Sequence, residues 1–221
     1  MNILPAGDPA TDARIASRFS GRWEPLYVRG KLRIDPLYRG ARRILEGNPL
    51  PLLDIGCGMG LLGMYLSEYG QSRDYLGLDG DPRKTASARA ICDTHFPRMR
   101  FIDADAGDLP PFSGNVAILD ALHYMPFELQ QRVLDGAAQR VAPDGVLLIR
   151  NCLRDRSWRY WMTVIEEQFL HGSGWMQVGA QHFPSREEIL APLSAHGLVS
   201  EVTPLWGYTP YNSYMIVARH A

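Results

Sequence analysis

From Pro51 onward the apolar residues gather in short runs, each broken by glycine or a charged side chain. PLLDI (51–55), DYLGLD (74–79), RFID (100–103), NVAILD (115–120) and GVLLIR (145–150) have the length and near-continuous hydrophobicity of strands buried on both faces. Between them the spacing changes to threes and fours. Leu61, Leu62, Tyr65, Leu66 and Tyr69 predict a helix over 59–69, Pro82 opens another over 82–96, and a third covers 127–141. A turn at Pro143-Asp144-Gly145 leads into the fifth strand. Strands alternating with helices predict a parallel sheet with helices on both faces and right-handed crossovers.

Both ends of the chain depart from this rhythm. Between Arg14 and Arg43 nine basic side chains stand against Glu24 and Asp35, with Trp23, Tyr27 and Tyr38 among them. This segment reads as two or three short helices, a cap that is either a solvated cover or a docking face and substrate lid. Residues 153–184 are rich in aromatics (Trp158, Tyr160, Trp161, Phe169, Trp175, Phe183), with His171, Gln177 and His182 between them. Individual residues such as Trp161 and Phe169 are expected in a second layer of core. A helix over 185–197 has Ser185 as its cap, Glu188 in the capping-box position and Gly197 as its stop. The strands 198–206 and 213–219, joined through GYTPYN, form a closing antiparallel hairpin.

Composition narrows the function. Of 221 residues 46% are hydrophobic, which excludes a disordered chain. Basic and acidic residues number 23 and 24, and no basic stripe with stacking aromatics crosses the sheet, so no nucleic-acid partner is expected. Cys57, Cys92 and Cys152 are widely spaced and odd in number, which excludes a disulfide scaffold. Neither a signal-peptide pattern nor an apolar run of about 18 residues is present, so a cytoplasmic protein without a membrane span is expected.

The informative chemistry lies at Asp54-Ile55-Gly56-Cys57-Gly58-Met59-Gly60. Glycines let the backbone turn sharply off a strand and approach a ligand closely. Asp79, ending the second strand, offers a carboxylate to both hydroxyls of a ribose, so a nucleoside-containing ligand is expected. Gly58, Gly60 and Gly63 spell the dinucleotide fingerprint, with Asp79 about twenty residues on. Against that reading, an anionic pyrophosphate at the helix N-terminus would gain nothing from a nearby acid such as Asp54. A cationic cofactor with no phosphate, S-adenosylmethionine, welcomes the acid.

LLDIGCGMG resembles the first motif of the class I S-adenosylmethionine-dependent methyltransferases, and LGLDGDP their acidic second-strand end. Asp105-Ala106 followed by Asp108-Leu109-Pro110 resembles their third-strand loop, LDALHYM the segment after their fourth strand, and VAPDGVLLIR the entry to their fifth. The likeness covers residues 48–151 in order and spacing. It implies a Rossmann-like, mostly parallel seven-stranded sheet with a C-terminal antiparallel hairpin. It divides the chain into a helical cap (1–47), a cofactor-binding half (48–151) and a substrate insertion with closing hairpin (152–221). By the same resemblance Asp54, Gly56, Gly58 and Gly60 hold the methionine part of the cofactor, Asp79 the ribose, and Asp105 with Ala106 the adenine. Asp120 takes the position closest to the transferred methyl. Asp81 is read instead as the cap of the helix that Pro82 opens, and Asp103 and Asp108 as solvated loop acids.

The expected acceptor is a small molecule, most simply an oxygen nucleophile, free or on a carrier protein. Asp120-Ala121-Leu122-His123 lacks the two prolines of the enzymes that methylate base amines. KLRIDPLY (31–38) weakly resembles a segment of bacterial methyltransferases associated with aryl-polyene and polyketide-like pigments. His123, three residues beyond Asp120 and placed at the mouth of the cleft, is the candidate general base, with His171 and His182 as rivals. No metal is expected. A nucleotide-dependent oxidoreductase and a non-catalytic cofactor-binding protein are the alternative readings.

Overall fold

The computed structural model describes residues 7–21, 23–172, 179–207 and 209–221, with 168–172 described by their backbone only. The predicted strands form one seven-stranded sheet: β1 (Leu52–Ile55), β2 (Tyr75–Asp79), β3 (Met99–Asp103), β4 (Asn115–Leu119), β5 (Leu147–Cys152), β6 (Leu198–Pro204) and β7 (Ser213–His220). Their order is β3-β2-β1-β4-β5-β7-β6. Among the described residues only β7 runs against its neighbours, lying antiparallel to both β5 and β6. The sheet reverses its direction of growth between β1 and β4, whose registers pair Ile55 with Leu78 on one side and Ile118 on the other.

Helices cover both faces. On one, α1 (Pro9–Ala16), α2 (Glu24–Ile34), α3 (Leu37–Ile44), α4 (Leu61–Glu68) and α5 (Pro82–His95) share a core with Leu52, Ala117, Leu148 and Met215. On the other, α6 (Phe127–Ala138) and α8 (Arg186–Ala195) pack on Leu53, Ile55, Ile118, Ile149 and Ile216. A long helix, α7 (Trp158–Gly172), follows β5. The N-terminal helices are more than a solvated cover, because Ile15, Val28, Leu32 and Leu45 are fully buried in the shared core.

Local chemistry explains most boundaries. Asp81 caps α5, accepting from the Arg83 amide at 3.1 Å, as its place before Pro82 predicts. Ser185 and Glu188 close a reciprocal capping box on α8 (Glu188 N to Ser185 Oγ, 3.2 Å; Ser185 N to Glu188 Oε2, 2.8 Å). The helix expected from Met59 begins instead at Leu61, because Gly60 caps it with a left-handed backbone at φ 74°. The helix expected to reach residue 141 ends at Ala138. Trp161 corrects the reading of the aromatic insertion. It is 59% exposed on α7 and belongs to no core layer. The side chains of Phe169 and His171, and all of Trp175 and Gln177, lie outside the described residues.

Candidate cofactor and methyl-transfer site

The carboxyl ends of β1, β2 and β4 meet where the sheet reverses direction, the place where open α/β sheets receive ligands. The chain leaving β1 is tied to β2 by two amides, Gly56 N and Cys57 N, which donate to the Leu78 carbonyl at 2.7 and 3.0 Å. Gly56 has φ 74°, and a β-carbon there would stand 2.5 Å from the Ala121 β-carbon, so the loop can press against the end of β4 only as glycine. A β-carbon on Gly58, also at positive φ, would meet nothing within 4 Å. The loop is thus closely backed at Gly56 and open at Gly58.

Asp79 organises this loop. Its Oδ2 accepts from the Gly58 amide at 2.8 Å and its Oδ1 from the Asp81 amide at 2.9 Å. A carboxylate offers about four acceptor positions, so two backbone bonds leave capacity for a diol. Asp54 lies beneath, 2% exposed, with Oδ2 accepting the Tyr75 hydroxyl at 2.6 Å and Oδ1 buried without a partner among the described residues. Burial pushes its carboxyl up to about 7, the Tyr75 hydrogen bond opposes the shift, and the Asp79 charge adds to it. That unmet acceptor fits a cationic ligand better than a phosphate. Asp105, exposed beyond β3, accepts from the Gly107 amide at 2.7 Å, and Ala106 beside it packs on the second core. Asp103 turns to Thr85 and Arg89.

The far side of the cleft is charged. Asp120 ends β4 at φ 57°, a conformation rare outside glycine. It pairs with Nη1 of Arg150 from β5, and Asp35, following α2, lies 3.7 Å from the same nitrogen. Lys31 of α2 is held above the usual lysine range, chiefly by Tyr38, against the cost of burial and with help from Tyr27, Asp120 and Asp35. The N-terminal helices therefore reach the position that the motif assigns to the transferred methyl.

His123 sits one layer in rather than at the open mouth, 4% exposed in a single turn of 3-10 helix (Leu122–Tyr124) and stacked on Phe183 with ring centres 5.6 Å apart. Asn151 donates its Nδ2 to the Cys152 carbonyl at 2.8 Å, so its Oδ1, 3.0 Å from His123 Nδ1, receives that ring N–H. His123 Nε2 then faces Glu167 Oε1 of α7 at 3.6 Å. The Tyr124 hydroxyl donates to Glu167 Oε2 at 2.9 Å. Burial raises the Glu167 carboxyl, but the His123 and Tyr124 contacts outweigh it and hold it below the usual range. The rival His182 is turned to Glu188, 2.9 Å away. Sequence reasoning missed Glu167, Arg150, Asp35 and Lys31. The available signals were a charged residue ending the apolar run VLLIR and adjacent acids, Glu166 and Glu167, amid the aromatics.

Residues 52–145 match the model of a family described as a methyltransferase domain. Demethylmenaquinone methyltransferase of Thermus thermophilus is 30% identical over 106 residues, 48% of this chain and 48% of that protein. The likeness thus spans about half the length of this curated relative. Among solved structures, magnesium protoporphyrin IX methyltransferase (ChlM) from Synechocystis PCC 6803 with bound SAH aligns at TM-score 0.63 and 16% identity, over 99% of this chain and 91% of that one. The mitomycin 7-O-methyltransferase MmcR aligns at TM-score 0.62 and 21% identity, over 83% of this chain and 54% of that one. The fold expected from the sequence and the methyltransferase class of the matched segment are borne out.

Proposed function

We propose that this chain, built on an S-adenosylmethionine-dependent methyltransferase domain, transfers the cofactor's methyl group to an oxygen atom of a small-molecule acceptor. The observation that carries this reading is the union of Gly58 and Asp79, an open glycine amide held by the carboxylate that ends β2, above the unpartnered Oδ1 of Asp54. When bound, the cofactor supplies an electrophilic methyl carbon. Gly56, Gly58 and Gly60 cradle its methionine part, with Asp54 as counter-charge. Asp79 takes the ribose hydroxyls, and Asp105 with Ala106 borders the adenine. Asp120 and Arg150 close the side from which the acceptor approaches.

Oxygen attack releases a proton, and His123 is the residue assigned to it. Asn151 orients the ring through Nδ1, and Glu167, 3.6 Å from Nε2, stabilises the cation that forms once the proton is taken up. The oxygen nucleophile is supported by the likeness to a protein named as an O-methyltransferase. The KLRIDPLY segment favours an aryl-polyene or polyketide-like acceptor, and the Arg-rich N-terminal helices suit delivery on an acidic carrier protein. Titration calorimetry with S-adenosylmethionine, its demethylated product and NADH tests the core of the reading. Binding of the first two and not the third is expected, whereas preference for NADH would overturn it.

A further inference from the structure

Helix α7 is built inside out. Trp158, Trp161, Met162 and Ile165 recur at the three- and four-residue spacing of one helix face, yet they are 62%, 59%, 42% and 60% exposed. The polar residues point inward instead. Arg159 donates to the Thr209 carbonyl at 2.6 Å and lies over the Trp206 ring, and the Thr163 hydroxyl accepts from the Asn212 amide at 3.0 Å. Glu166 accepts from the Tyr211 hydroxyl at 2.5 Å, and Glu167 holds Tyr124. A helix that buries its charges in hydrogen bonds and turns tryptophans to water leaves an apolar face needing a partner.

Helix α2 repeats the pattern on the other side of the same site. Leu26 and Ile34 are 65% and 59% exposed, beside the exposed Arg29 and Arg33. Its acid, Glu24, is bent back to the Gly21 amide at 3.3 Å. Arg156, exposed just before α7, adds a third cation. The helices converge on the methyl-transfer end, since Asp35 reaches Arg150 and Glu167 lies by His123.

We infer that the outer faces of α7 and α2 dock this chain on an anionic lipid surface, with the mouth of the site turned toward the bilayer. Tryptophan with aliphatic neighbours, flanked by arginine and with the acids turned away, is the composition of a helix lying in a lipid interface. A second copy of the chain is a poorer occupant. Arg29, Arg33 and Arg156 would be repeated on a second copy and repel it, whereas an anionic surface complements them. Resting on the proposed methyl transfer, this makes the acceptor lipophilic and drawn from the membrane.

The test uses the full chain with vesicles of phosphatidylcholine, alone or with one-quarter phosphatidylglycerol. Binding to the anionic vesicles at least about tenfold tighter than to the neutral ones is expected, weakened by high salt and accompanied by a blue shift of tryptophan emission. The Trp161→Ser/Ile165→Ser variant is expected to lose at least about tenfold of that binding while keeping its melting temperature, because both side chains are exposed. The Arg29→Glu/Arg33→Glu variant, which leaves α7 intact, is expected to lose the anionic preference. Absence of binding to either vesicle overturns the inference. So does a solution dimer that the Trp161→Ser/Ile165→Ser change dissociates without any lipid affinity. Failure of S-adenosylmethionine to bind in calorimetry removes the lipophilic acceptor and leaves the docking measurement standing.

Discussion

Arg150 and Asp120 form an ion pair across the ends of β5 and β4, and the same guanidinium lies 3.7 Å from Asp35 at the end of α2. One cation thereby ties the N-terminal helices to the end of β4, where the proposed methyl transfer would take place. It is shared by two acids whose side chains are only 25% and 15% exposed. Removing one partner of such a group leaves the others poorly solvated. Arg150→Ala is expected to cost about 3 kcal/mol in urea unfolding. The Asp35→Asn/Arg150→Met double variant is expected to recover part of that loss. Equal stability of Arg150→Ala and the parent chain would contradict the linkage.

Asp79 holds the loop and, on the proposed reading, the ribose as well, so its loss is expected to weaken S-adenosylmethionine and its demethylated product alike. A hydrogen bond to a charged group is worth about 1.5–3 kcal/mol, and two ribose hydroxyls lose theirs, so Asp79→Ala should raise both dissociation constants by at least about tenfold. Calorimetry with unchanged affinity would remove Asp79 from the ribose site.

On the proposed reading, Asp54 is expected to make cofactor binding depend on pH. Its carboxyl is raised to about 7 in the folded chain, so near neutrality a substantial fraction is protonated. A cationic ligand favours the ionised form and expels that proton. Affinity should therefore climb as pH rises from about 5.5 and level off above about 7.5, and Asp54→Asn should flatten the profile.

The same shift bears on stability. Because the folded value lies above the ordinary 3.8, the folded state holds the proton more tightly, and this group's contribution falls as pH rises between the two values. Asp54→Asn is accordingly expected to melt higher than the parent at pH 8. Thermal melts in which the variant is the less stable at pH 8 would contradict the burial penalty.

His123 and Glu167 should behave as a pair. His123→Ala is expected to lower turnover about 100-fold or more, the scale of general-base catalysis, with cofactor affinity nearly unchanged. Glu167→Gln keeps the shape and removes the charge facing Nε2. It should lower turnover less than His123→Ala does and shift the pH dependence of kcat, with KM for the cofactor unaltered. A Glu167→Gln enzyme with the parent pH profile would reduce Glu167 to a packing role.

Much of this architecture was legible before any coordinates. Apolar runs, Pro82 after Asp81, the Ser185–Glu188 box and the glycines after β1 act within a few residues, and the backbone answers to them locally. Departures arose where a local signal was overridden. The position of Gly60 delayed α4 by two residues, and Trp161 turned outward because the inner face of α7 is committed to polar partners.

The linear order of residues determined the alternation of strands and helices and the placing of Asp54, Gly56, Gly58 and Asp79 at and just beyond strand ends. Tertiary structure alone decided which charges meet. Asp35 reaches Arg150, His123 faces Glu167, and Tyr75 reaches down to Asp54. These partners stand far apart in the chain, and no periodicity encodes their meeting. Each pairing depends on how helices settle across a sheet whose order departs from the order of the sequence. Burial then shifts the Asp54 carboxyl, and the Asn151 side chain holds the His123 ring through Nδ1.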